Sequence, residues 1–323
     1  PKIKPIWITR DKKIQEQVNE LGGISFLANE PKGIYYSLLA KHYFVSCGKI
    51  DVNHLAGNGA RWTQLWHGNP MKKIGLDDKF APWSSFFESK IVPVLFPFIY
   101  LFNYDYLVSN AEVFSDKMAS AFNMPLNRIL ETGCPRNDVF YSQEEDAFNK
   151  GLKSKFKGCK LLYYLPTFRG HNATKSLFTL EDYSLEKLED FLEKENLVFI
   201  SKGHYVDNQL SDGVKNEESR LINLSDENVS DINFMLKDAD LLITDYSGAY
   251  FDFLLTERPV VFAAFDLEEY LSSSRELYFD YGNIVSGPIA KDWNELMDAL
   301  KSVWDSEYYK KLTQEKNGQF NKY

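Results

Sequence analysis

Two histidines follow predicted β-strands on turns that contain glycine. His67 lies in a WHGNP turn with Lys72 and Lys73 just beyond it, and His204 ends a second such turn. Because an unperturbed imidazole has a pKa of about 6.5, His67 could remove the proton of a hydroxyl group at neutral pH. The alternative is a structural histidine that caps the turn, and the residue types alone leave both interpretations open.

Three strand ends carry groups that suit a phosphate. Arg169 could clamp a phosphate through two parallel hydrogen bonds. Lys202 and a protonated His204 could together hold a diphosphate. Ser247 stands where an apolar strand gives way to a helix, and the exposed N–H groups of a helix start attract anions. Each has a plainer alternative, such as a surface arginine that pairs with a carboxylate or a serine that caps a helix.

No metal or nucleotide fingerprint accompanies these residues. The chain has no H-E-x-x-H, no Walker motif, no GxGxxG and no G-x-S-x-G elbow, and its three cysteines are widely spaced. The carboxylate pair Asp77-Asp78 lies in a polar loop, where we expect it to be solvated. We therefore expect no metal site, no cofactor and no disulfide framework.

Strand patterns alternate with helical patterns along the chain. The predicted strands are 5–9, 43–47, 63–66, 104–109, 161–165, 197–201, 221–224, 241–244 and 260–263. The predicted helices include 11–21, 112–122, 185–195, 248–255 and 292–302. This alternation predicts parallel sheets covered by helices, and the continuous apolar runs 241–243 and 260–262 predict central strands. Ligands of such sheets bind beyond the carboxyl ends of the strands, where the candidate residues lie.

The chain is long enough for two ordinary domains. It has 323 residues, of which 44% are hydrophobic and 26% are charged. A charged, helical stretch at 142–160 separates two α/β series, so we predict an N-terminal domain at 1–156 and a C-terminal domain at 157–323. Such a pair suggests a ligand cleft between the domains. The net charge of −9 argues against a nucleic-acid partner.

Five segments resemble the CDP-glycerol glycerophosphotransferase family, which includes teichoic-acid primases and polymerases and related capsule enzymes. They are LWHGNPMKKIG (65–75), TGCPRND (132–138), YLPTFRG (164–170), SKGH (201–204) and ITDYSGAYFDFLLTERPVVFAAFD (243–266). The resemblance covers about residues 1–320. It implies an α/β fold of GT-B type, with two Rossmann-like domains facing across a cleft. The N-terminal domain would bind the acceptor and the C-terminal domain the CDP-polyol.

The resemblance also implies roles for the candidate residues. His67 would be the catalytic base, with His204 as a second catalytic residue that contacts the diphosphate of the donor. The acceptor hydroxyl would attack the β-phosphorus of the CDP-polyol, and CMP would leave. The donor-binding residues would be Thr167, Arg169, Lys202, Asp245, Tyr246, Ser247 and Gly248. The acceptor-binding residues would be Gly68, Lys72 and Arg136.

Two positions depart from the family pattern. Thr is common where this chain has Asn69, and a second Ser or Thr is common where it has Gly248. The change at Gly248 removes a hydroxyl ligand but keeps the backbone N–H groups, and it could alter the preference for a polyol. The chain also begins inside what resembles the second strand of the N-terminal domain and ends at FNKY, so we expect a fragment of a longer protein.

The segment 80–102 is rich in aromatic and apolar residues and is flanked by lysines. It could lie in a membrane interface, close to a lipid-linked acceptor, and a buried helical pair is the alternative. Its most apolar run, 91–102, is shorter than the roughly 20 residues of a spanning helix. Because the family is often peripheral to the membrane, we expect a cytoplasmic protein at the inner face of the cell membrane.

The expected partners are CDP-glycerol or CDP-ribitol as donor, and a polyol-phosphate polymer or a lipid-linked primer as acceptor. One alternative is a ribitolphosphotransferase with the same chemistry. A second is a GT-B glycosyltransferase that uses a nucleotide sugar. A third is a non-catalytic binding protein of a wall or capsule assembly complex. Primase and polymerase, and teichoic-acid and capsule products, stay open at this stage.

Overall fold

The computed structural model describes residues 3–53, 55–57, 59–79, 81, 91–95, 102–167, 177–202, 218–224, 229, 231–273 and 276–322. Internal contacts divide the chain into two compact units. The N-terminal unit comprises Pro1–His67 and Ile74–Cys134, and the C-terminal unit comprises Gly68–Lys73 and Pro135–Tyr323. Six residues that follow His67 thus pack with the C-terminal half of the sequence.

The described strands of the N-terminal unit form two parallel sheets. The smaller pairs β1 (Trp7–Thr9) with β2 (Ser25–Leu27). The larger has the order β3-β4-β5-β6, with strands His42–Val45, Arg61–Gln64, Tyr106–Ser109 and Ile129–Glu131. The α-helices are Lys12–Glu20, Pro31–Leu39, Val92–Leu95 and Glu112–Ala121, and the 3₁₀ segments are Lys49–Asp51, Gly75–Asp77 and Leu126–Arg128.

Aromatic rings fill the core of the N-terminal unit. Tyr43 of β3 and Trp62 of β4 stack with their ring centroids 4.1 Å apart, as neighbours on one face of paired strands can. Phe114 and Phe122 are buried at either end of the helix that follows β5. This core holds the carboxyl ends of β3 and β4 in place, and His67 follows β4 by three residues.

Six described strands of the C-terminal unit, β7 to β12, are Lys160–Leu165, Leu197–Ser201, Leu221–Asn223, Leu241–Thr244, Val260–Ala263 and Ile289–Ala290. They form a parallel sheet of order β12-β11-β10-β7-β8-β9. The described α-helices are Ala147–Lys155, Leu185–Lys194, Ile232–Leu236, Ala249–Phe253, Leu267–Ser273, Tyr281–Ile284, Trp293–Ser302 and Glu307–Phe320. The 3₁₀ segments are Pro135–Tyr141, Leu177–Thr179 and Leu254–Thr256.

Three strands of this sheet are buried at every residue, namely β8, β10 and β11. The central position predicted for the apolar runs 241–243 and 260–262 is confirmed, since β10 and β11 lie inside the strand order. Helices covering both faces of a parallel sheet exclude water from it and produce such runs. The predicted α/β class with parallel sheets is therefore confirmed.

The division into units differs from the predicted boundary near residue 156. Helix Ala147–Lys155 belongs to the C-terminal unit, where Asn149 Nδ2 donates to the carbonyl of Met235 at 2.7 Å. The N–H of Asp146 donates to Asp238 Oδ2 at 2.8 Å. Because these buried polar groups find their partners in the C-terminal unit, helix Ala147–Lys155 packs as part of that unit.

No helix among the described residues has both the length and the apolar character that a membrane crossing requires.

Candidate active site

The carboxyl ends of β7 and β10 are joined by hydrogen bonds in the C-terminal unit. Thr244 Oγ1 donates to the carbonyl of Leu165 at 2.7 Å. Just beyond, the N–H of Thr167 donates to Asp245 Oδ1 at 2.8 Å. Two adjacent strands of a parallel sheet are thereby fixed at the edge where such sheets bind ligands.

The side chains of Asp245 and Tyr246 hold the turn that follows β10. Asp245 is 1% exposed, and its Oδ1 also accepts from the N–H of Tyr246 at 2.5 Å. The carbonyl of Asp245 accepts from the Tyr281 hydroxyl at 3.1 Å, and the Tyr246 hydroxyl donates to Asp266 Oδ1 at 3.0 Å. Burial, and then the charge of Asp266, raises the pKa of Tyr246 far above its usual range, so this phenol stays a hydrogen-bond donor.

Ser247 and Gly248 form the more exposed part of the turn. Ser247 is half-buried, and its Oγ accepts from the N–H of Ala249 at 3.4 Å. Gly248 is the residue before helix Ala249–Phe253, which is five residues long. A Cβ atom on Gly248 would lie 2.6 Å from the carbonyl oxygen of Asn69. The glycine therefore lets the backbone of Asn69 come close to the turn.

The segment Gly68–Lys73 lies along the C-terminal unit through backbone hydrogen bonds. The N–H of Tyr278 donates to the carbonyl of Met71 at 2.9 Å, and the N–H of Lys73 donates to the carbonyl of Glu276 at 2.8 Å. Between these bonds Lys72 forms an antiparallel bridge with Leu277. Gly68, Lys72 and Arg136, all predicted to bind the acceptor, therefore belong to the unit predicted to bind the donor.

The two neighbouring lysines of this segment have different surroundings. Lys72 Nζ lies 3.5 Å from Thr167 Oγ1, at the end of β7. Lys73 forms an ion pair with Glu276 instead. Successive side chains of an extended segment point in opposite directions, so Lys72 and Lys73 have different neighbours although they are adjacent in the sequence.

Arg136 forms an ion pair with a carboxylate that is 1% exposed, Asp252 of helix Ala249–Phe253. Asn137 Nδ2 donates to the other oxygen of that carboxylate at 3.0 Å. Burial raises the pKa of Asp252, while Arg136 and Asn137 oppose the shift. On its other side Arg136 lies against Gly68, whose φ is +151° and where a Cβ atom would be 3.0 Å from Arg136 Nη2. Glycine suits this position because it adopts a positive φ without strain and has no Cβ atom to contact Arg136.

His67 belongs to the N-terminal unit, where it is exposed. Its Nδ1 lies 3.0 Å from the carbonyl of Ser46, and its ring packs 3.9 Å from that of Trp66. Since a carbonyl can only accept, the proton of this hydrogen bond is on Nδ1. A neutral His67 then has an unprotonated Nε2, which can accept a proton from a substrate.

The other predicted site residues divide between described and undescribed parts of the chain. Lys202 directly follows β8, and its N–H donates to the carbonyl of Tyr164 of β7 at 3.1 Å. Arg169 and His204 lie outside the described residues, as does most of the segment 80–102. In the part of the chain that the structure describes, no three His, Cys, Asp or Glu side chains group as a metal site would need.

Two notable groups were missed by the sequence reasoning. Asp252 could have been found, because a lone carboxylate in the apolar run AYFDFLL has to be buried with a partner.

Lys49, after β3, gave no such signal in the sequence. It is 9% exposed, bonds to the carbonyl of Asn103 and lies 5.0 Å from the Trp62 ring and 5.2 Å from the Tyr104 ring. Burial lowers its pKa to about 8, and the charge of Asp105 partly opposes this.

A family model described as CDP-glycerol:poly(glycerophosphate) glycerophosphotransferase matches residues 1–323. The chain is also 30% identical over 257 residues to a teichoic acid glycerol-phosphate transferase of Staphylococcus aureus (strain NCTC 8325 / PS 47). That match covers 75% of this chain and 62% of that protein. The ribitol-phosphate polymerase TarL of the same strain is 33% identical over 200 residues, which are 59% of this chain and 34% of TarL. The chain thus spans less than two thirds of either relative.

A solved structure of a variant of the wall teichoic acid polymerase TagF resembles the chain in fold. The TM-score is 0.73 at 23% sequence identity, over 99% of this chain and 84% of that one. The GT-B type of α/β fold predicted from the sequence is confirmed by this likeness.

Proposed function

The chain belongs to the CDP-glycerol:poly(glycerophosphate) glycerophosphotransferase family, and we propose that it transfers glycerol phosphate from CDP-glycerol to a hydroxyl acceptor and releases CMP. The match of the family model to residues 1–323 carries this proposal. Similarity to both a glycerol-phosphate and a ribitol-phosphate enzyme supports the shared chemistry, the displacement of CMP by a hydroxyl group.

The donor's diphosphate binds at the carboxyl ends of β7, β8 and β10 in this proposal. Thr167, Lys202 and the turn at Ser247 and Gly248 follow those strands, and Arg169 and His204 come from the same strand ends in the sequence. Asp245 and Tyr246 act by positioning, because their side chains are buried and bonded to the N–H of Thr167 and to the carboxylate of Asp266. A preorganised edge of this kind stabilises charge without reorganising during the reaction.

His67 is the general base of the proposed reaction. Its Nε2 accepts the proton of the acceptor hydroxyl while the oxygen forms a bond to the β-phosphorus of the CDP-polyol. The bond from that phosphorus to the bridging oxygen breaks, and CMP leaves with both electrons of that bond. The hydrogen bond from Nδ1 to Ser46 supports this role because it leaves Nε2 as the basic nitrogen.

The test is release of CMP from CDP-glycerol or, separately, CDP-ribitol in the presence of a short polyol-phosphate acceptor. We expect acceptor-dependent CMP, and the donor that supports it identifies the polyol. His67→Ala should lower turnover by about 10²–10⁴-fold and leave binding of the donor intact. The matched control is His42→Ala, an exposed histidine at the amino end of β3 in the same unit, which should leave turnover unchanged.

Each alternative function predicts a different product. A nucleoside diphosphate formed from a nucleotide sugar would indicate a glycosyltransferase and contradict the proposal. Affinity for CDP-glycerol without any turnover would indicate a binding protein. Full turnover in His67→Ala would exclude His67 as the base but would not contradict the proposed phosphotransfer reaction.

The acceptor is a growing polyol-phosphate chain or a lipid-linked primer, and the protein works at the cytoplasmic face of the membrane in this proposal. A lipid-linked acceptor requires the enzyme to approach a bilayer surface. Val94 and Leu95 support such contact, because they are 75% and 60% exposed within the segment 80–102. Exposed apolar side chains of this size can enter the interface of a bilayer.

A further inference from the structure

We propose that Lys72 binds the diphosphate of the CDP-polyol donor, and not the acceptor that the sequence suggested. This inference rests on the proposed function and assigns a donor ligand to a segment that lies among N-terminal residues in the sequence. Its starting observation is that Gly68–Lys73 packs within the C-terminal unit.

The backbone at Lys72 is fixed to the C-terminal unit on both sides. The bridge to Leu277 aligns it, and the neighbouring bonds at Met71 and Lys73 close the ladder. Met71 is 1% exposed, which buries a large apolar side chain next to Lys72. The lysine is therefore carried by a rigid element, and rigid elements hold functional side chains most accurately.

The ammonium group of Lys72 lies at the carboxyl edge of the sheet. Its Nζ is 3.5 Å from Thr167 Oγ1, and the N–H of Thr167 is bonded to Asp245. The strands that end there, β7 and β10, are the two middle strands of the order β12-β11-β10-β7-β8-β9. Ligands of open parallel sheets bind in the crevice beyond such strand ends.

Negative charge accumulates at this edge when an anionic donor binds, and a nearby cation would offset it. Asp245 and Asp266 are carboxylates of the turn and of the loop after β11, and a diphosphate adds further negative charge. Lys72 brings its ammonium group to the hydroxyl of Thr167 at this edge, where it could form a charge-assisted hydrogen bond to a phosphate. Lys202 directly follows the neighbouring strand β8.

The test compares Lys72→Gln with Lys73→Gln by titration calorimetry with CDP-glycerol and, in parallel, with CDP-ribitol. A charge-assisted hydrogen bond to a phosphate predicts about 10- to 100-fold weaker binding of the donor in Lys72→Gln. Lys73→Gln, altered at the adjacent lysine, should bind within about twofold of the unaltered protein, since it loses an ion pair of small worth. Lys72→Arg should recover part of the lost affinity.

Steady-state CMP release separates the donor from the acceptor. Lys72→Gln should raise the KM for the donor and leave the KM for the acceptor unchanged. Equal donor affinity in Lys72→Gln and the unaltered protein would overturn the inference, as would a rise in acceptor KM alone. If Lys72→Gln does not fold, Lys72→Met, which also removes the charge, carries the same comparison. Failure of the unaltered protein to bind either CDP-polyol would instead overturn the proposed function.

Discussion

Removal of the charge of Arg136 should strongly destabilise the C-terminal unit. In Arg136→Met the apolar stem of the side chain is largely kept, and the guanidinium that pairs with Asp252 is lost. Asn137 would still donate one hydrogen bond to the carboxylate. The carboxylate, which is 1% exposed, would then be buried without a counter-charge.

Breaking a buried ion pair from one side costs about 3–5 kcal/mol, because the remaining charge stays out of water. Against a total stability of about 5–15 kcal/mol this is a large loss. With a urea dependence of about 2 kcal/mol per molar, the unfolding midpoint of this unit should fall by about 1.5–2.5 M.

The stability lost in Arg136→Met should be smaller at lower pH. Burial raises the pKa of Asp252 in the folded chain, and removal of Arg136 takes away the main opposing influence. Between the unfolded and the folded pKa the folded chain binds more protons, so stability falls as pH rises through that window. The deficit of Arg136→Met should therefore shrink when urea unfolding is repeated at a pH of about 5 in place of 7.

The control is Arg258→Met. Arg258 precedes β11 and lies at the amino end of that strand, in the same unit as Arg136. Arg258 bonds to the carbonyls of Lys237 and Ala239 at 2.8 and 2.6 Å and has no carboxylate partner in either bond. Its loss should cost about 1.5–3 kcal/mol with no comparable dependence on pH. A deficit below about 1 kcal/mol for Arg136→Met, or one that does not change with pH, would refute the electrostatic reasoning.

Two further predictions concern the N-terminal unit. Burial lowers the pKa of Lys49 from 10.5 in the unfolded chain to about 8 in the folded chain. Between those pH values the unfolded chain binds a proton that the folded chain has lost. The free energy of unfolding therefore rises with pH, by up to about 3 kcal/mol. Lys49→Met should lack this rise in urea titrations between pH values of about 8 and 10, and an identical slope would contradict the assignment. Aspartate at Val94 and Leu95 should weaken flotation with anionic liposomes by about tenfold or more. Leu126→Asp, at a residue that is 55% exposed elsewhere in this unit, should not weaken it, and equal flotation of all variants would exclude membrane contact at Val94 and Leu95.

The strands that sequence reasoning found are those with an unambiguous pattern. The apolar runs of β10 and β11 have a single interpretation, since both faces of these strands are covered. The predicted strands did not include β2, β6 and β12, which have three, three and two residues. Segments that short carry no periodicity of their own. The sequence pattern found β1 and β9, which also have three residues, because each lies within a longer predicted run at 5–9 or 221–224.

The partition of the WHGNPMKK motif could not be read from the sequence. Consecutive residues are normally assigned to one domain, yet His67 packs in the N-terminal unit and Gly68–Lys73 in the other. The contacts that fix this join Lys72 to Leu277 and Asn69 to Gly248, and each pair is roughly two hundred residues apart in the sequence. No local propensity encodes pairings at that distance, so the sequence alone could not assign Gly68–Lys73 to the C-terminal unit.

Asn69 and Gly248, the two positions at which the sequence was expected to depart from the family pattern, meet in the structure. A Cβ atom at residue 248 would lie 2.6 Å from the carbonyl oxygen of Asn69, closer than carbon and oxygen atoms approach without displacement. The backbone path of the segment after His67 therefore excludes a side chain at residue 248. A side chain at residue 248 would require Asn69 to move, and with it the segment that carries Lys72. The glycine at residue 248 and the close approach of the segment are thus one structural feature, because the space that a Cβ atom would use is filled by backbone.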